Sequence, residues 1–294
     1  VATDALLQHK SAYLNVPFFL GRTAFYFAVW SLFAHLLSKW TRAIDQGGDR
    51  QALSKKLRGL SGGGLVAMAL TITLAAVDWA MSLSPHWYST VYGILFVVGQ
   101  CLAALAFVVV LMAGFADERP FAGLVRREQI HDLGKLLLAF VMLWAYINLS
   151  QFLIVWSGNL PEEIPWYLKR LRGGWQWLGL ALVLFHFVLP FLLLLSRDLK
   201  RNAGLLGTVA GVILVFRLVD LFWLVAPETA GGHGGQAAGF SVHWLDLGAL
   251  LAVGGPGTFM PVGKLIGAWF PHTRGRMMGT AITGNNVFGL VAVP

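Results

Sequence analysis

The sequence predicts an all-α, polytopic transmembrane helical bundle of about seven complete spans plus a truncated eighth. Three observations predict it. Of the 294 residues, 57% are hydrophobic and only 12% are charged, about half the charge of a soluble domain. The apolar residues fall in runs of roughly 20, the length a helix needs to cross the hydrocarbon core. The basic residues gather in short segments between those runs, as in membrane proteins with a fixed orientation. A transmembrane barrel is excluded, because no stretch alternates polar and apolar residues in strand register.

The spans follow in order. Residues 18–40 form the first, with Arg22 near its outer end, and residues 65–84 form the second, with Asp78 about five residues from the outer end. Residues 91–115 form the third. The fourth, 134–156, carries Lys135 at its inner edge and Tyr146, Asn148 and Gln151 in its outer half. His186 lies near the midplane of the fifth, 175–196, and is followed four residues later by Pro190. Proline has no N–H to bond the carbonyl of residue 186, so a kink is expected there. The sixth, 204–226, holds Arg217 and Asp220 in its outer third. The seventh, 243–270, is the weakest because "VGGPGTFMP" interrupts it, and an eighth starts at Met277. The glycine-rich stretches "SGGG" at 61–64 and "GGHGG" at 231–235 are expected to be flexible loops.

Orientation follows from the loops. Arg42, Arg50, Lys55, Lys56 and Arg58 lie in 41–61, Arg119, Arg126 and Arg127 in 116–133, and Arg197, Lys200 and Arg201 in 197–203. The alternate loops 85–90 and 227–242 have no Lys or Arg. The basic loops are therefore expected on the cytoplasmic side and the N-terminus outside. Loop 157–174 is the exception, placing Lys169, Arg170 and Arg172 outside beside Glu162 and Glu163. Topology thus accounts for the +8 net charge, and no nucleic-acid partner is expected. Cys101 is the single cysteine, which excludes an internal disulfide and a Cys-based metal or iron–sulfur site. The chain opens on Val1 with no charged n-region and ends in the apolar "NNVFGLVAVP". It is expected to be an internal piece of a longer protein without a signal peptide.

Ionisable groups at bilayer depth are costly and mark functional candidates. Asp78 shares a helix face with Thr71 and Ser82. It reads either as a packing carboxylate or as a proton-carrying or quinol-facing acid. Arg217 and Asp220, three residues apart, can pair, as a structural ion pair or as part of a gate or relay. His186 is either a proton shuttle or a packed histidine. A bis-His haem is not expected, because the other intramembrane histidine, His35, lies near the inner side.

The compact stretch "DWAMSLSPHWYSTVYG" at 78–93 joins the second and third spans. Trp79, Trp87, Tyr88 and Tyr92 suit an interfacial aromatic belt, with His86 solvated. "GPGTFMPVGKL" is no phosphate-binding loop: Thr258 stands at the first required glycine and Leu265 replaces the Ser or Thr after the lysine.

That stretch, together with "LGKLLLAFVMLWAYINLSQFLIVWSGNLPEEIPWYLKR", "HFVLPFLLLLSRDLKRN" and the early "KSAYLNVPFFLGRTAFYFAVW", resembles the F subunits of alternative complex III. The likeness spans residues 5–245, within a first segment of 1–245. This family of polysulfide-reductase-like (NrfD-like) subunits belongs to bacterial quinol:cytochrome c, or other periplasmic acceptor, oxidoreductases. The resemblance implies a respiratory, inner-membrane subunit with no covalently bound cofactor of its own, able to face quinone or quinol. It also implies multihaem cytochrome c, iron–sulfur and second NrfD-like subunits as partners. Asp78, Lys135, Tyr146, His186, Arg217 and Asp220 are then the candidates for a proton or quinone-facing pathway. His86, Trp87 and Tyr88 are the candidates for docking the redox subunits.

From Gly254 onward, "GGPGTFMPVGKLIGAWFPHTRGRMMGTAITGNNVFGLVAVP" instead resembles the fourth to fifth helices of a major facilitator transporter. Residues 246–294 are therefore a separate segment, with a gene or assembly junction expected near 245–254. The rival readings are a major facilitator-type transporter fragment and a purely structural membrane anchor.

Overall fold

The computed structural model describes residues 8–115 and 127–229. Every regular element among them is helical, and six helices are long and apolar enough to cross a membrane. These match the first six expected spans. The expected seventh and eighth spans, the "GGHGG" stretch, the 245/246 boundary and the transporter-like tail lie outside the described residues.

Helix α1 (Val16–Asp45) starts at Asn15, whose side chain accepts the Phe18 N–H at 2.9 Å. Helix α2 (Arg50–Trp79) starts at Asp49, which accepts from Gln51 and Ala52. Such caps satisfy the donors that an isolated helix start leaves unpaired. The turn between them uses Gly47 at φ 91°, a left-handed conformation that favours glycine.

The "SGGG" stretch is a correction. It is not a loop but part of the continuous helix α2, and much of the predicted loop 41–61 is helical too. Helix formers from Gln51 onward and the apolar run after Leu65 flank the glycines. Where water is scarce, breaking the helix would strand backbone N–H and C=O groups, a larger cost than roughly 1 kcal/mol of propensity per glycine.

A 3₁₀ turn (Met81–Leu83) leads to α3 (Val91–Phe115), the central helix, which packs against α2, α4 (Arg127–Gly158) and α8 (Ala203–Thr229). Short α5 (Ile164–Arg170) lies within the expected loop 157–174. The fifth span, α6 (Trp175–Leu195), is α-helical to Ala181, π-helical over Leu182–Val188 and α-helical again from Leu189. The expected irregularity at Pro190 takes this form, and the Leu189 N–H reaches back five residues to the Leu184 carbonyl. A five-residue helix, α7 (Arg197–Arg201), connects to α8.

Two apolar clusters fill the bundle. One, near the α7 end, gathers Leu102, Leu105, Leu133, Leu137, Leu206 and Ile213. The other, near the 84–90 connection, gathers Tyr26, Trp30, Trp87, Tyr92, Trp166 and Trp175. α3 and α8 approach closely at Gly207, where an added Cβ would collide with the Ala113 side chain. Gly211, one turn on, faces open space. Gly207→Val is expected to destabilise the bundle by about 1–3 kcal/mol through overpacking. Gly211→Ala is expected to be neutral or to stabilise by up to about 1 kcal/mol. Thermal unfolding in detergent checks both.

Candidate functional site

Asp78 sits at the centre of a saturated clamp. Arg22 Nε and Nη2 donate to its two oxygens at 2.8 and 2.9 Å. The hydroxyls of Tyr13 and Tyr26 donate at 2.8 and 2.6 Å. The guanidinium also stacks on Tyr13 and Phe18, its Cζ 3.8 and 4.2 Å from their ring centres. Burial and the bond to Asp78 push the Tyr13 phenol up to about 12, so it stays a donor at neutral pH. Further along the same interface, Trp30 Nε1 donates to Thr71 and Trp79 Nε1 donates to Thr23. These polar bonds zip α1 to α2, its one substantial helical partner among the described residues.

The groups of the expected stripe of Thr71, Asp78 and Ser82 are each engaged in hydrogen bonds. Thr71 is bonded to Trp30 and Ala67, and Ser82 donates to the Asp78 carbonyl at 2.5 Å. Of the two readings of Asp78, the geometry favours the packing one.

A second charge cluster caps the other end of α8. Arg170 is fully buried. Its Nη1 bonds Glu228 at 2.9 Å, its Nη2 the Leu224 carbonyl and its Nε the Trp223 carbonyl, and its Cζ lies 3.4 Å over Trp166. Pro227 lacks the N–H that would bond the Trp223 carbonyl, and Arg170 supplies a donor in its place. Lys169 reaches Glu228 as well, at 2.8 Å. The exceptional charge of loop 157–174 is thus largely tied to one acid. Trp166 stacks on Trp87 at 4.8 Å, and Tyr92 packs edge-on against Trp87.

This arrangement corrects the belt expectation. Trp87 and Tyr92 are buried inside the bundle end, because stacking on Trp166 removes more apolar surface from water than an interfacial position would. Trp87 cannot be a docking surface. His86 and Tyr88 are exposed.

The third cluster is incomplete. Arg217 and Asp220 form a buried ion pair, and Trp144 Nε1 donates to Asp220 Oδ2 at 3.0 Å. The Arg217 guanidinium lies directly over Gly99 of α3, where any Cβ would displace it. His186 packs edge-on against Trp144 with ring centres 4.4 Å apart. Asp220 Oδ1, Arg217 Nε and Nη2, both His186 nitrogens and the Gln151 amide have no hydrogen-bond partner among the described residues. Buried polar atoms are usually satisfied, so this concentration of unpaired ones separates the third cluster from the other two.

Asp220 and Trp144 also form the floor of a groove of about 780 Å³ between α4, α5, α6 and α8. Its walls are apolar, including Leu149, Phe152, Leu180, Val183 and Phe187, with Arg170 and Gln176 among its few polar members. Tyr146 lies on the rim, 66% exposed. Because Met142, Leu149, Leu180 and Val183 are all exposed, the groove opens sideways, where a bilayer would lie.

The structure brings His186, Arg217 and Asp220 together and sets Tyr146 on the adjacent rim. It leaves Asp78 and Lys135 elsewhere. Lys135 is exposed and pairs with Asp132 across one turn at 3.0 Å. Sequence reasoning missed Trp144 as the partner of Asp220 and Arg170 as a buried residue. The signal for Arg170 was Pro227, which forces a carbonyl to find a donor from outside its helix. No protein-family model matches the chain, and no curated protein matches it.

Removing one partner from a buried pair leaves a charge uncompensated, at about 3–5 kcal/mol. Asp78→Asn and Glu228→Gln are each expected to lower stability by about that amount, measured by thermal unfolding in detergent. Tyr26→Phe, which leaves three bonds to Asp78, is expected to cost only about 1.5–3 kcal/mol.

Proposed function

We propose that this chain is the integral, quinone-associated subunit of a respiratory quinol:cytochrome c (periplasmic acceptor) oxidoreductase, akin to the F subunits of alternative complex III. The observation that carries the reading is the laterally open apolar groove whose floor holds a buried, half-satisfied carboxylate. Ligand sites are typically apolar clefts of about 300–1,000 Å³ with a few placed polar groups, and the groove fits that description. A hydroquinone arriving from lipid would lay its ring and tail along Leu149, Phe152 and Val183, and its hydroxyl toward Asp220 and Trp144.

Oxidation of a quinol releases two electrons and two protons. In this reading the electrons pass to iron–sulfur and multihaem cytochrome c partners. Asp220 Oδ1, held in place by Trp144 and Arg217, accepts one of the two protons, and the other leaves to water. His186, beside Trp144, and the Gln151 amide extend the polar region away from the groove. The proposed setting is the bacterial inner membrane, with the basic α7 end cytoplasmic, the N-terminus outside, and His86 and Tyr88 facing the partner subunits.

The test is to purify the tagged chain in mild detergent from a host that expresses the partner subunits. A c-type haem band and quinol-dependent cytochrome reduction are the expected results, and a haem-free preparation would count against the assignment. Within the assembled complex, Asp220→Asn is expected to lower the quinol-dependent rate by roughly tenfold or more. Unchanged turnover per assembled complex would instead make the chain a structural anchor.

A further inference from the structure

A cluster of basic groups lies at the opposite end of the bundle from the aromatic cap, on surfaces the groove does not use. On α4, His131 and Lys135 are four residues apart and share a face. On α7, Arg197, Lys200 and Arg201 share a face by the same spacing. α4 and α7 pack together, and the contact is close. The Lys200 stem crosses α4 at Gly134, its Cγ only 2.7 Å from where a glycine Cβ would stand. The stem is buried there, and Gly134 is three residues from His131, so Lys200 crosses the α4 face that carries His131. His131 accordingly lies within electrostatic reach of Lys135, Arg197, Lys200 and Arg201.

The charge at this spot is poorly compensated. Asp132 pairs with Lys135. Among the described residues, Arg197, Lys200 and Arg201 form no ion pair, and Asp198 forms none with them. The sheltered His131 Nδ1 has no hydrogen-bond partner either. Three cations within electrostatic reach of an imidazole nitrogen are thus without an ion-paired acid among the described residues. They sit where two spans, α6 and α8, end, which is headgroup depth for a bilayer around this bundle. Exposed Leu192 and Leu195 of α6 continue from the cluster toward the membrane interior.

We infer that the notch between α4 and α7 binds the phosphate of an anionic phospholipid, with the acyl chains lying along α6. Basic pockets between spans at the cytoplasmic surface take such headgroups. The apolar surface next to the cations is what distinguishes a lipid from a free phosphate. Bound there, the lipid neutralises the cluster and holds α7 against α4.

The test is native mass spectrometry of the detergent-purified full chain, with phosphatidylglycerol and with phosphatidylcholine of the same acyl chains. Wild-type protein is expected to retain phosphatidylglycerol preferentially. Arg197→Gln and Arg201→Gln, both at exposed positions, should each weaken retention about fivefold, while Arg58→Gln on α2 should leave it unchanged. Lys200→Met keeps the stem over Gly134 and should weaken retention as well. Equal retention of the two lipids overturns the inference, as does an equal loss in Arg58→Gln. Displacement of phosphatidylglycerol by inorganic phosphate would reassign the notch to a soluble anion and also overturn it. Thermal unfolding of each variant shows that loss of lipid is not loss of fold.

Discussion

An arginine buried in an apolar bundle must meet a carboxylate, and the arrangement of this protein depends on three such meetings. Arg22 of α1 meets Asp78 of α2, Arg170 of α5 meets Glu228 of α8, and Arg217 meets Asp220 within α8. Surrounding lipid is as apolar as leucine, so hydrophobic contact discriminates weakly between one helix pairing and another. A misplaced helix that strands a guanidinium loses several kcal/mol. The two pairs that join different helices, Arg22–Asp78 and Arg170–Glu228, therefore select neighbours, and the aromatic and aliphatic contacts fill in around them. The α1–α2 hairpin shows this most directly, since Arg22, Tyr26, Trp30 and Trp79 all cross that interface through polar bonds.

The three pairs differ in how completely they are satisfied, and that difference separates structure from chemistry. Asp78 accepts four hydrogen bonds, and Arg170 donates to a carboxylate and three carbonyls. Both are saturated with hydrogen bonds from the protein itself. Among the described residues, Asp220 keeps one oxygen unpaired, beside a guanidinium and close to an imidazole that have unused donors or acceptors. A saturated buried network rigidifies, whereas an incomplete one costs stability and is retained where something else completes it. The groove reaches Asp220 from the lipid side, which gives that incompleteness a use.

The irregular helix geometry serves the same region. Pro190 and the π segment over Leu182–Val188 bring His186 inward against Trp144. π segments recur at functional sites because they rotate one residue out of the regular helical register. Gly99 makes room for the Arg217 guanidinium. Two local concessions, a glycine on α3 and a proline on α6, thus position groups contributed by α8 and α6.

By itself the sequence determined the helical class and the first six spans, because apolar runs about 20 residues long have one stable form in a bilayer. It also determined the Arg217–Asp220 pairing, because a spacing of three on a helix puts both side chains on one face, and the irregularity before Pro190, because proline removes a donor. Partners more than one helix away were decided only by tertiary structure. Asp78 and Asp220 are equally acidic and similarly deep in the sequence, yet one meets Arg22 and two tyrosines and the other keeps an oxygen with no partner among the described residues. Trp87 suits a lipid belt by composition, but Trp166, 79 residues later, draws it into the core. Depth along a helix is written in one dimension. The direction a side chain faces, and what it finds there, depends on how six helices pack.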